Sequence, residues 1–452
     1  MTTQTLSEIL ANYAVSSNPA AVPDAVRHEV KRAFLNWVGC AIGGSPVDPM
    51  SQCIAVAKQL GSSGNSSVIG RCEKFDAARV AFLNSLSSSL YAYDDTHLKS
   101  IAHPTGPIGA ACLAIAECTP AISGPTFLHA LTMGLEVECR LGAYLMEPPA
   151  QCSVGWTMTG LVGGLGVAAA LARLLPLSEK ELVSAIGIAA TRSSGLRGAG
   201  VGYMTRDFPM GYSGLIGVES ALMAKAGVVS SPRALDKTTG LGGMVSQNAN
   251  EAAALSDLGT RYELMNNAYK PYPAGIVGHS IIEVCIALAS ANDLDPKQIE
   301  KVEMKVNGDC IRIMGLADPI DMYGAQVSAK HWTAVSLIRR RAGIAEASTS
   351  AANDPQVREL RTKVHLIETQ GIGRDGAVAV VHLKNGSILT EQVEHCIGSV
   401  DRPMSDAELE TKFRTQAAGI VDDATTQRLI HFCWNFDSAV DVGDSYRRAA
   451  GA

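Results

Sequence analysis

The stretch Asn266-Asn267-Ala268-Tyr269-Lys270-Pro271-Tyr272-Pro273 is where the pattern of this 452-residue sequence changes. Its two prolines exclude a regular helix, because proline lacks the backbone N–H that a helix uses and its ring clashes with the preceding turn. Before this stretch, apolar residues recur at three- and four-residue spacing, as in 29–42 and 127–145, which predicts helices almost throughout. Ser178-Glu-Lys-Glu181 is a capping box that predicts a helix start there. The stretch therefore marks the end of a long helical region.

The residues that follow carry strand signals as well as helix signals. Val302, Met304 and Val306 alternate with charged residues, which predicts a half-exposed strand. Asn385-Gly386 separates two further runs of strand-forming residues, a pattern typical of a hairpin with a two-residue turn. A smaller α/β unit is therefore expected after the boundary.

Helical sequence returns near the end of the chain. After Pro403, Ser405-Asp406-Ala407-Glu408 is a capping box that opens an amphipathic helix. We predict a mainly α protein with a large all-helical domain, residues 1–267 and 401–452, and an inserted smaller α/β lid domain, residues 268–400. A cleft between two such domains is a preferred place for a ligand.

Composition excludes several classes of protein. The net charge is −6, from 38 basic and 44 acidic residues, and the longest basic run is Arg339-Arg340-Arg341, so we expect no nucleic-acid partner. The longest apolar run, 160–172, is shorter than the ~20 residues of a membrane span. The N-terminus lacks a basic region followed by an apolar run. These features predict a soluble, cytoplasmic protein without a membrane partner.

Eleven cysteines are scattered singly along the chain, with no C-x-x-C pair. Isolated cysteines of this kind are typical of reduced, buried thiols in a cytosolic protein. They do not form a metal-binding pattern together with histidines. We therefore expect chemistry without a metal or a cofactor.

The richest chemistry lies in residues 93–106, Tyr-Asp-Asp-Thr-His-Leu-Lys-Ser-Ile-Ala-His-Pro-Thr-Gly. This stretch combines two carboxylates, two imidazoles, an ammonium and three aliphatic hydroxyls between two helical segments. An acid, a histidine and a cation together can divide the roles of base, acid and charge clamp. The alternative is that Asp94, Asp95 and Thr96 only cap and turn between helices. Capping does not account for the two histidines and the lysine.

Three further segments carry candidate residues. Arg206 and Asp207 precede a proline and a glycine, Lys270 lies on the boundary stretch, and Ser328-Ala-Lys-His331-Trp stands at a predicted helix start. Taken singly, each of these residues is as well explained by a surface salt bridge or a structural role.

Taken together, several motifs resemble the MmgE/PrpD family. They are Ala81-Phe-Leu-Asn84, Asp94-Asp95-Thr96-His97, His103-Pro104, Gly134-Leu-Glu-Val-Glu138-Cys-Arg140-Leu-Gly142, Ala185-Ile-Gly187-Ile-Ala-Ala190, Ser194-Gly195-Leu196, Lys270-Pro-Tyr-Pro273, Pro403-Met-Ser405 and Lys412-Phe413. The resemblance implies a helical domain built from both chain ends, an α/β lid and a homodimer. It also implies cofactor-free reactions on small di- or tricarboxylates, since known members include 2-methylcitrate dehydratase, cis-aconitate decarboxylase and iminodisuccinate epimerase.

The sequence departs from the family pattern at several positions. Ala92 replaces an acid that is a site residue in the decarboxylase, and Thr157 replaces a histidine. Arg206 and Pro209 stand where the family has lysine and histidine, and His331 stands where tyrosine is common. Arginine keeps the positive charge but does not give up a proton near neutral pH. These departures affect the specific reaction more than the substrate class.

We therefore predict a cofactor-independent lyase that acts on a small polycarboxylate by proton abstraction next to a carboxylate, with 2-methylcitrate dehydratase-like dehydration first. Decarboxylation, epimerisation and non-catalytic carboxylate binding are the alternatives. The predicted catalytic residues are His103, Asp94 and Lys270. The predicted substrate-binding residues are Arg206 (as a bidentate fork), Thr96, His97, Thr157, Tyr272, His279 and His331. A second interpretation of His97 is that it faces solvent.

Overall fold

The computed structural model describes residues 4–451 and confirms the mainly α fold class. About 57% of the chain is helical and 10% is in strands. The predicted helix starts at Ser178 and Ser405 are both confirmed. The side chain of each serine accepts a hydrogen bond from the backbone N–H of the glutamate three residues later, and the carboxylate of that glutamate accepts one from the backbone N–H of the serine. Local sequence signals therefore set the starts of these two helices.

The helices before the boundary stretch are numbered in chain order. They are α1 (Leu6–Ser16), α2 (Asp24–Gly44), α3 (Asp48–Gln59), α4 (Ala77–Ser89), α5 (Thr105–Cys118), α6 (Gly124–Met146), α7 (Met158–Leu174), α8 (Glu179–Ala190), α9 (Phe208–Lys225), α10 (Leu241–Val245) and α11 (Glu251–Leu255). Short two-residue strands join distant loops: β1 (Ser66–Ser67), β2 (Lys74–Phe75), β3 (Thr96–His97), β4 (Gln151–Cys152), β5 (Ser246–Gln247) and β6 (Asn267–Ala268).

Small residues allow the central helices to pack closely. A Cβ added to Gly166 on α7 would lie 2.7 Å from the Cβ of Glu138 on α6, and one added to Gly134 would lie 2.7 Å from the Cβ of Ala170. Larger residues at these positions would push the two helices apart. The Gly- and Ala-rich composition of this region is thus explained by helix packing.

After the boundary stretch, the chain forms further helices and a four-stranded sheet. The helices are α12 (His279–Ala291), α13 (Gly308–Met314), α14 (Met322–Ala325), α15 (Ala329–Arg339), α16 (Thr349–Ala352) and α17 (Pro355–Thr362). The strands are β7 (Ile299–Val306), β8 (Val364–Glu368), β9 (Ala377–Leu383) and β10 (Ile388–Val393). The strand order is β10-β9-β7-β8, with β7 and β8 parallel and the other pairs antiparallel.

The sheet confirms the strand signals in the sequence. Val302, Met304 and Val306 are buried on one face of β7, while the charged residues between them are partly exposed. Asn385-Gly386 turns β9 into β10, and Gly386 has a φ of 86°, a conformation that glycine adopts without strain. Val302, Met304 and Val306 contribute to a second hydrophobic core, which is formed by residues between 274 and 381 together with Ile101.

The C-terminal helices return to the first core. They are α18 (Asp406–Ala417), α19 (Asp423–Asn435) and α20 (Val442–Ala450). The ring of Phe413 on α18 lies against Gly39 of α2, where an added Cβ would come within 2.9 Å of it. Residues from both ends of the chain thus lie in one core, and the division into domains at 267/268 and 400/401 stays a prediction.

Within residues 4–451, the helices are all too short or too polar to cross a membrane.

One short strand pair joins the two regions of the molecule. Thr96 of β3 pairs with Ala268 of β6 in antiparallel register, and His97 pairs with Asn267. This pairing places the polar loop 92–103 against the boundary stretch that carries Lys270. The interpretation of Asp94, Asp95 and Thr96 as helix caps is wrong, because α5 begins only at Thr105 and has no side-chain cap.

Candidate active site

A cavity lies at the junction of the two regions. Its wall is made by Ser89, Ala92, Asp94, Ile101, His103, Thr157, Arg197, Val201, Arg206, Asp207, Met210, Lys270, Gly275, Ile276, Val277, Ile313 and Val327. The charged side chains come from the loop 92–103, the boundary stretch and the segment before α9. The apolar side chains come from both sides of the boundary. The cavity therefore has a polar part and an apolar part.

Lys270 and Asp94 form a buried ion pair in the polar part. The Nζ of Lys270 lies 2.5 Å from Oδ1 of Asp94, and both side chains are less than one-tenth exposed. Burial favours the neutral form of Asp94, but the facing His103 and Lys270 outweigh it and hold the pKa of this carboxyl below its ordinary value. Asp94 is thus ionised at neutral pH and fixes the position of the lysine.

His103 is oriented by the loop that carries it. Its Nδ1 donates a hydrogen bond of 2.8 Å to the backbone carbonyl of Asp95 and lies 3.1 Å from Oγ1 of Thr96. Because a carbonyl oxygen can only accept, Nδ1 carries the proton and Nε2 keeps a free lone pair. In the described chain, the polar contacts of this ring are made by Nδ1.

The charge state of His103 follows from its surroundings. Burial lowers its pKa to about 4, and the charge of Lys270 acts in the same direction, although Asp94 opposes the shift. Lys270 Nζ lies 3.5 Å from Nδ1. His103 is therefore a neutral imidazole at physiological pH, in the form that can accept a proton at Nε2.

Lys412, from the C-terminal helix α18, holds this loop from behind. Its Nζ donates to the backbone carbonyl of Tyr93 and to Oδ1 of Asn36, both at 2.6 Å, and it lies 5.0 Å from the centre of the Tyr93 ring. Burial lowers the pKa of this lysine. Lys412 does not reach the cavity wall, so its role is to position the residue next to Asp94.

Arg206 lines the cavity, but its fork is already occupied. Nε and Nη2 donate to the two carboxylate oxygens of Asp207, at 2.9 and 2.6 Å. Nη1 donates to Oε1 of Gln326 at 2.5 Å, and Nη2 also contacts the carbonyls of Ser89 and Leu90. The expected bidentate grip on a substrate carboxylate is thus directed at Asp207 instead.

Arg197 lines the cavity but is not among the site residues predicted from the sequence. It lies on a short 3-10 turn, Arg197–Ala199, and its Nε donates to the carbonyl of Val154 at 2.7 Å. Within residues 4–451, neither Nη1 nor Nη2 has a hydrogen-bonding partner, and no carboxylate lies within 4.0 Å of the guanidinium. Burial lowers its pKa. Its one signal in the sequence is a basic residue directly after the Ser194-Gly195-Leu196 motif.

The two positions at which the sequence departs from an expected acid and an expected histidine both face the cavity. Ala92 has a φ of 51°, and its side chain forms part of the wall. Thr157 precedes α7 and also forms part of the wall. Ala92 thus presents a methyl group, and Thr157 a hydroxyl, where an acid and a histidine were expected. His103 is therefore the histidine of the cavity wall.

The structure brings five of the ten predicted site residues to the cavity wall and places the other five elsewhere. Asp94, His103, Thr157, Arg206 and Lys270 form part of the wall. The remaining five are Thr96, His97, Tyr272, His279 and His331.

Thr96 and His97 lie behind the wall. Thr96 is buried and contacts the ring of His103. His97 is completely buried, with Nδ1 2.8 Å from Oγ of Ser100 and Nε2 3.3 Å from Oε2 of Glu263. The interpretation that His97 faces solvent is therefore wrong, because both ring nitrogens have buried protein partners. Burial lowers its pKa to about 4.

The other three residues are held within the second core. The rings of Tyr272 and His279 meet edge to face with centroids 5.4 Å apart, and Nε2 of His279 donates to the carbonyl of Ala274. Nε2 of His331 donates to the carbonyl of Glu346 at 2.8 Å. Contact of these side chains with a substrate is therefore not supported by their positions.

One group of side chains outside the cavity has the composition of a metal site. Ligand atoms of Asp375, His395 and Asp401 lie within 4.8 Å of one another near the surface. Nδ1 of His395 lies 2.7 Å from Oδ2 of Asp375, which explains the arrangement as a hydrogen-bonded pair and raises the pKa of this histidine. None of the three residues belongs to the cavity wall described above.

Comparison with known proteins agrees with the resemblance found in the sequence. Residues 8–253 match the MmgE/PrpD N-terminal domain, and residues 272–436 match the MmgE/PrpD C-terminal domain. A cis-aconitate decarboxylase-like protein of Aspergillus oryzae is 24% identical, over 96% of this chain and 95% of its own length. The cis-aconitate decarboxylase of Homo sapiens is 23% identical, over 98% and 94%. That of Aspergillus terreus is 23% identical, over 93% and 91%.

Proposed function

The chain belongs to the MmgE/PrpD family, and from that premise we propose that it is a lyase that acts on a small di- or tricarboxylate by moving a proton at a carbon next to a carboxylate. The observation that carries this proposal is the state of His103. It is a neutral imidazole with a free Nε2, in a cavity wall that also contains three cations. This is the arrangement that a general base needs beside an anionic substrate.

The cations stabilise the charge that develops during the reaction. Removing a proton next to a carboxylate shifts negative charge onto the carboxylate oxygens, and fixed positive groups lower the free energy of that state. Lys270 is held in place by Asp94 at 2.5 Å, so it presents its remaining N–H donors without further reorganisation. We assign His103 as the base and Lys270 as the stabilising cation and proton donor.

The same groups can serve a decarboxylation or a dehydration. In a decarboxylation, the bond from carbon to a carboxylate breaks, CO₂ leaves, and the electron pair left on carbon takes a proton from Lys270. In a dehydration, His103 takes the proton from carbon, and the hydroxyl leaves as water with a proton from Lys270. We place dehydration first, because it is the reaction that uses His103 as the base. Decarboxylation, which is the reaction named for the relatives above, and epimerisation are the alternatives.

A proton-exchange assay tests the proposal. The protein is incubated in heavy water with cis-aconitate, citrate, 2-methylcitrate, iminodisuccinate and two alkyl-substituted dicarboxylates, and each acid is followed by proton NMR. Turnover, or deuterium incorporation next to a carboxylate, is expected in at least one acid and is expected to be lost in His103→Gln. The proposal fails if no acid is changed or exchanged.

Carboxylate binding without catalysis is the second candidate function. It is favoured by the absence of proton carriers at Ala92 and Thr157, both of which face the cavity. It predicts thermal stabilisation by these acids without any deuterium incorporation. Exchange at a rate that depends on His103 would exclude it.

We also propose that the protein is a homodimer, as the family resemblance implies. Large apolar side chains that are exposed in the single chain are concentrated in residues 196–244. They are Leu196, Tyr203, Met204, Tyr212, Leu222, Met223, Val228, Val229 and Met244. A second copy of the chain would cover such a surface. Light scattering is expected to give about twice 47.4 kDa at micromolar concentration, and a stable monomer would contradict it.

A cytoplasmic location is proposed from the cysteines. Within residues 4–451 all eleven are free thiols, and most are buried. Free thiols persist in a reducing compartment. Fractionation with thiol labelling of the natural protein would test it.

A further inference from the structure

We propose that the substrate carries at most two carboxylates and one aliphatic arm, and that Arg197 is the residue that anchors one of these carboxylates. This inference rests on the proposed function, since it specifies the substrate of the same cavity. It follows from the charges of the wall, from the partners that those charges already have, and from the position of the apolar side chains.

The wall carries little net charge. Its cations are Arg197, Arg206 and Lys270, its carboxylates are Asp94 and Asp207, and His103 is neutral. One positive charge therefore remains uncompensated. A tricarboxylate would leave two negative charges in excess in a largely enclosed site, where such charges are poorly solvated.

Two of the three cations are already paired. Arg206 has its Nε and one Nη on the carboxylate of Asp207, which is 2% exposed. Lys270 is paired with Asp94 but has two further N–H donors on the same ammonium group. Lys270 can therefore accept a second carboxylate, whereas Arg206 can offer only the one Nη1 hydrogen that is not bonded to Gln326.

Arg197 is the cation with a free fork. Its Nε is fixed by the carbonyl of Val154, so the guanidinium is oriented, and neither Nη has a protein partner within residues 4–451. It lies close enough to His103 for its charge to lower the pKa of that histidine. An oriented, unpaired guanidinium beside the base is suited to bidentate binding of a carboxylate.

Apart from the hydroxyl-bearing Ser89 and Thr157, the rest of the wall is mainly apolar. Ile101, Val201, Met210, Ile276, Val277 and Ile313 present hydrocarbon to the cavity, together with Val327. The methyl of Ala92 continues this surface into the loop 92–103. A carboxylate placed here would lose its hydration without gaining a partner, whereas an alkyl group would gain burial. The third arm of the substrate is therefore aliphatic.

An isosteric pair of ligands tests this inference by equilibrium binding. Tricarballylate and 2-isobutylsuccinate have the same branched skeleton, but in the latter an isopropyl group replaces one carboxylate, so that two methyl groups stand in place of its two oxygens. Calorimetry at pH 8 is expected to show that the protein binds 2-isobutylsuccinate about tenfold more tightly than tricarballylate, or more tightly still. Equal or tighter binding of tricarballylate, or binding of neither acid, would overturn the inference.

Variants of Arg197 test the anchor. Arg197→Gln is expected to weaken binding of 2-isobutylsuccinate by about 30-fold or more, and Arg197→Lys by less, because lysine retains the charge without the fork. Arg192→Gln is the matched control, since Arg192 is paired with Glu219 and does not belong to the cavity wall. Unchanged binding by Arg197→Gln would overturn the assignment, and thermal melts of each variant verify that it is folded.

The outcomes separate this inference from the proposed function. If the protein binds tricarballylate more tightly than 2-isobutylsuccinate, and yet exchanges protons next to the carboxylates of an acid, the inference is wrong and the proposed function is supported. A protein that prefers 2-isobutylsuccinate through Arg197 but exchanges no proton in any acid supports the inference and refutes the proposed function.

Discussion

The loop 92–103 carries two histidines that the tertiary structure uses in opposite ways. His97 and His103 are six residues apart, and burial lowers the pKa of both rings to about 4. His97 has protein partners on both ring nitrogens, Ser100 and Glu263, within the described chain. His103 uses Nδ1 alone and retains a free Nε2 at the cavity. Burial and neutrality are therefore shared, and only the free lone pair distinguishes a candidate base from a structural histidine.

The difference between His97 and His103 arises from the parts of the protein against which each of them is packed. The strand pair β3–β6 fixes the backbone between the two rings and turns His97 toward the buried Glu263. The carbonyl of Asp95 then holds His103 in one tautomer. Variants at the two positions are therefore expected to differ in turnover and in stability.

The largest effect is expected for His103→Gln. Glutamine preserves a hydrogen-bonding group of similar size but cannot take up a proton, so turnover is expected to fall about 10²-fold or more. Steady-state kinetics on the acid identified by the exchange assay provide the measurement. His395→Gln is the control, because His395 is a partly exposed histidine outside the cavity wall and is expected to retain activity within about twofold.

A second large effect is expected for Lys270→Met. Asp94 would lose its ion-pair partner at 2.5 Å, so the pKa of this buried carboxyl should rise. Turnover is expected to fall about 10-fold to 10²-fold through loss of charge stabilisation. Infrared titration of the carboxyl band measures the ionisation of Asp94, and a variant with an unshifted band and full activity would contradict the assigned role of Lys270.

The pH dependence should reveal the same base. His103 is deprotonated above its pKa of about 4, so turnover measured from pH 8 downward should stay level through pH 6 and be half lost near pH 4. An acid limb near the ordinary histidine pKa of ~6.5 would contradict the assignment of His103 as the base.

Folding stability is expected to fall over a related pH range. The pKa of His97 is about 4 in the folded chain and ~6.5 when unfolded, so the unfolded state binds more protons between these values. The stabilisation is complete above pH ~6.5 and is lost as the pH falls toward 4. Denaturant titrations at pH 7 and pH 5 should show lower stability at pH 5, and brief acid exposure before assay separates this loss from protonation of His103.

The smallest effect on turnover is expected for His97→Gln. Glutamine would not reproduce both ring contacts, with Ser100 and with Glu263, and the loss of one buried hydrogen bond costs about 0.5–1.5 kcal/mol. The melting temperature should fall while turnover changes about threefold or less. A loss as large as that of His103→Gln, in a variant with an unchanged melting temperature, would remove the distinction between the two histidines.

Local signals explain what could be predicted before the structure was known. The capping boxes at Ser178 and Ser405, the Asn385-Gly386 hairpin and the non-helical Lys270-Pro-Tyr-Pro273 depend on residues within a few positions of one another. Asp94, His103 and Lys270 could also be chosen as candidates, because acids, imidazoles and amines stand out in an apolar sequence. Short-range patterns were therefore enough to predict the fold class and the chemical types present at the site.

Only the tertiary structure decided which of these groups are free to act. Arg206 has the same charge as Arg197, yet its fork is directed at the neighbouring Asp207 because both side chains are buried together with Gln326. Arg197 reaches the cavity with its fork unpaired, which no local pattern could indicate. The physical reason is that pairing, burial and tautomer depend on contacts between distant segments, such as Thr96 with Ala268 and Lys270 with Asp94.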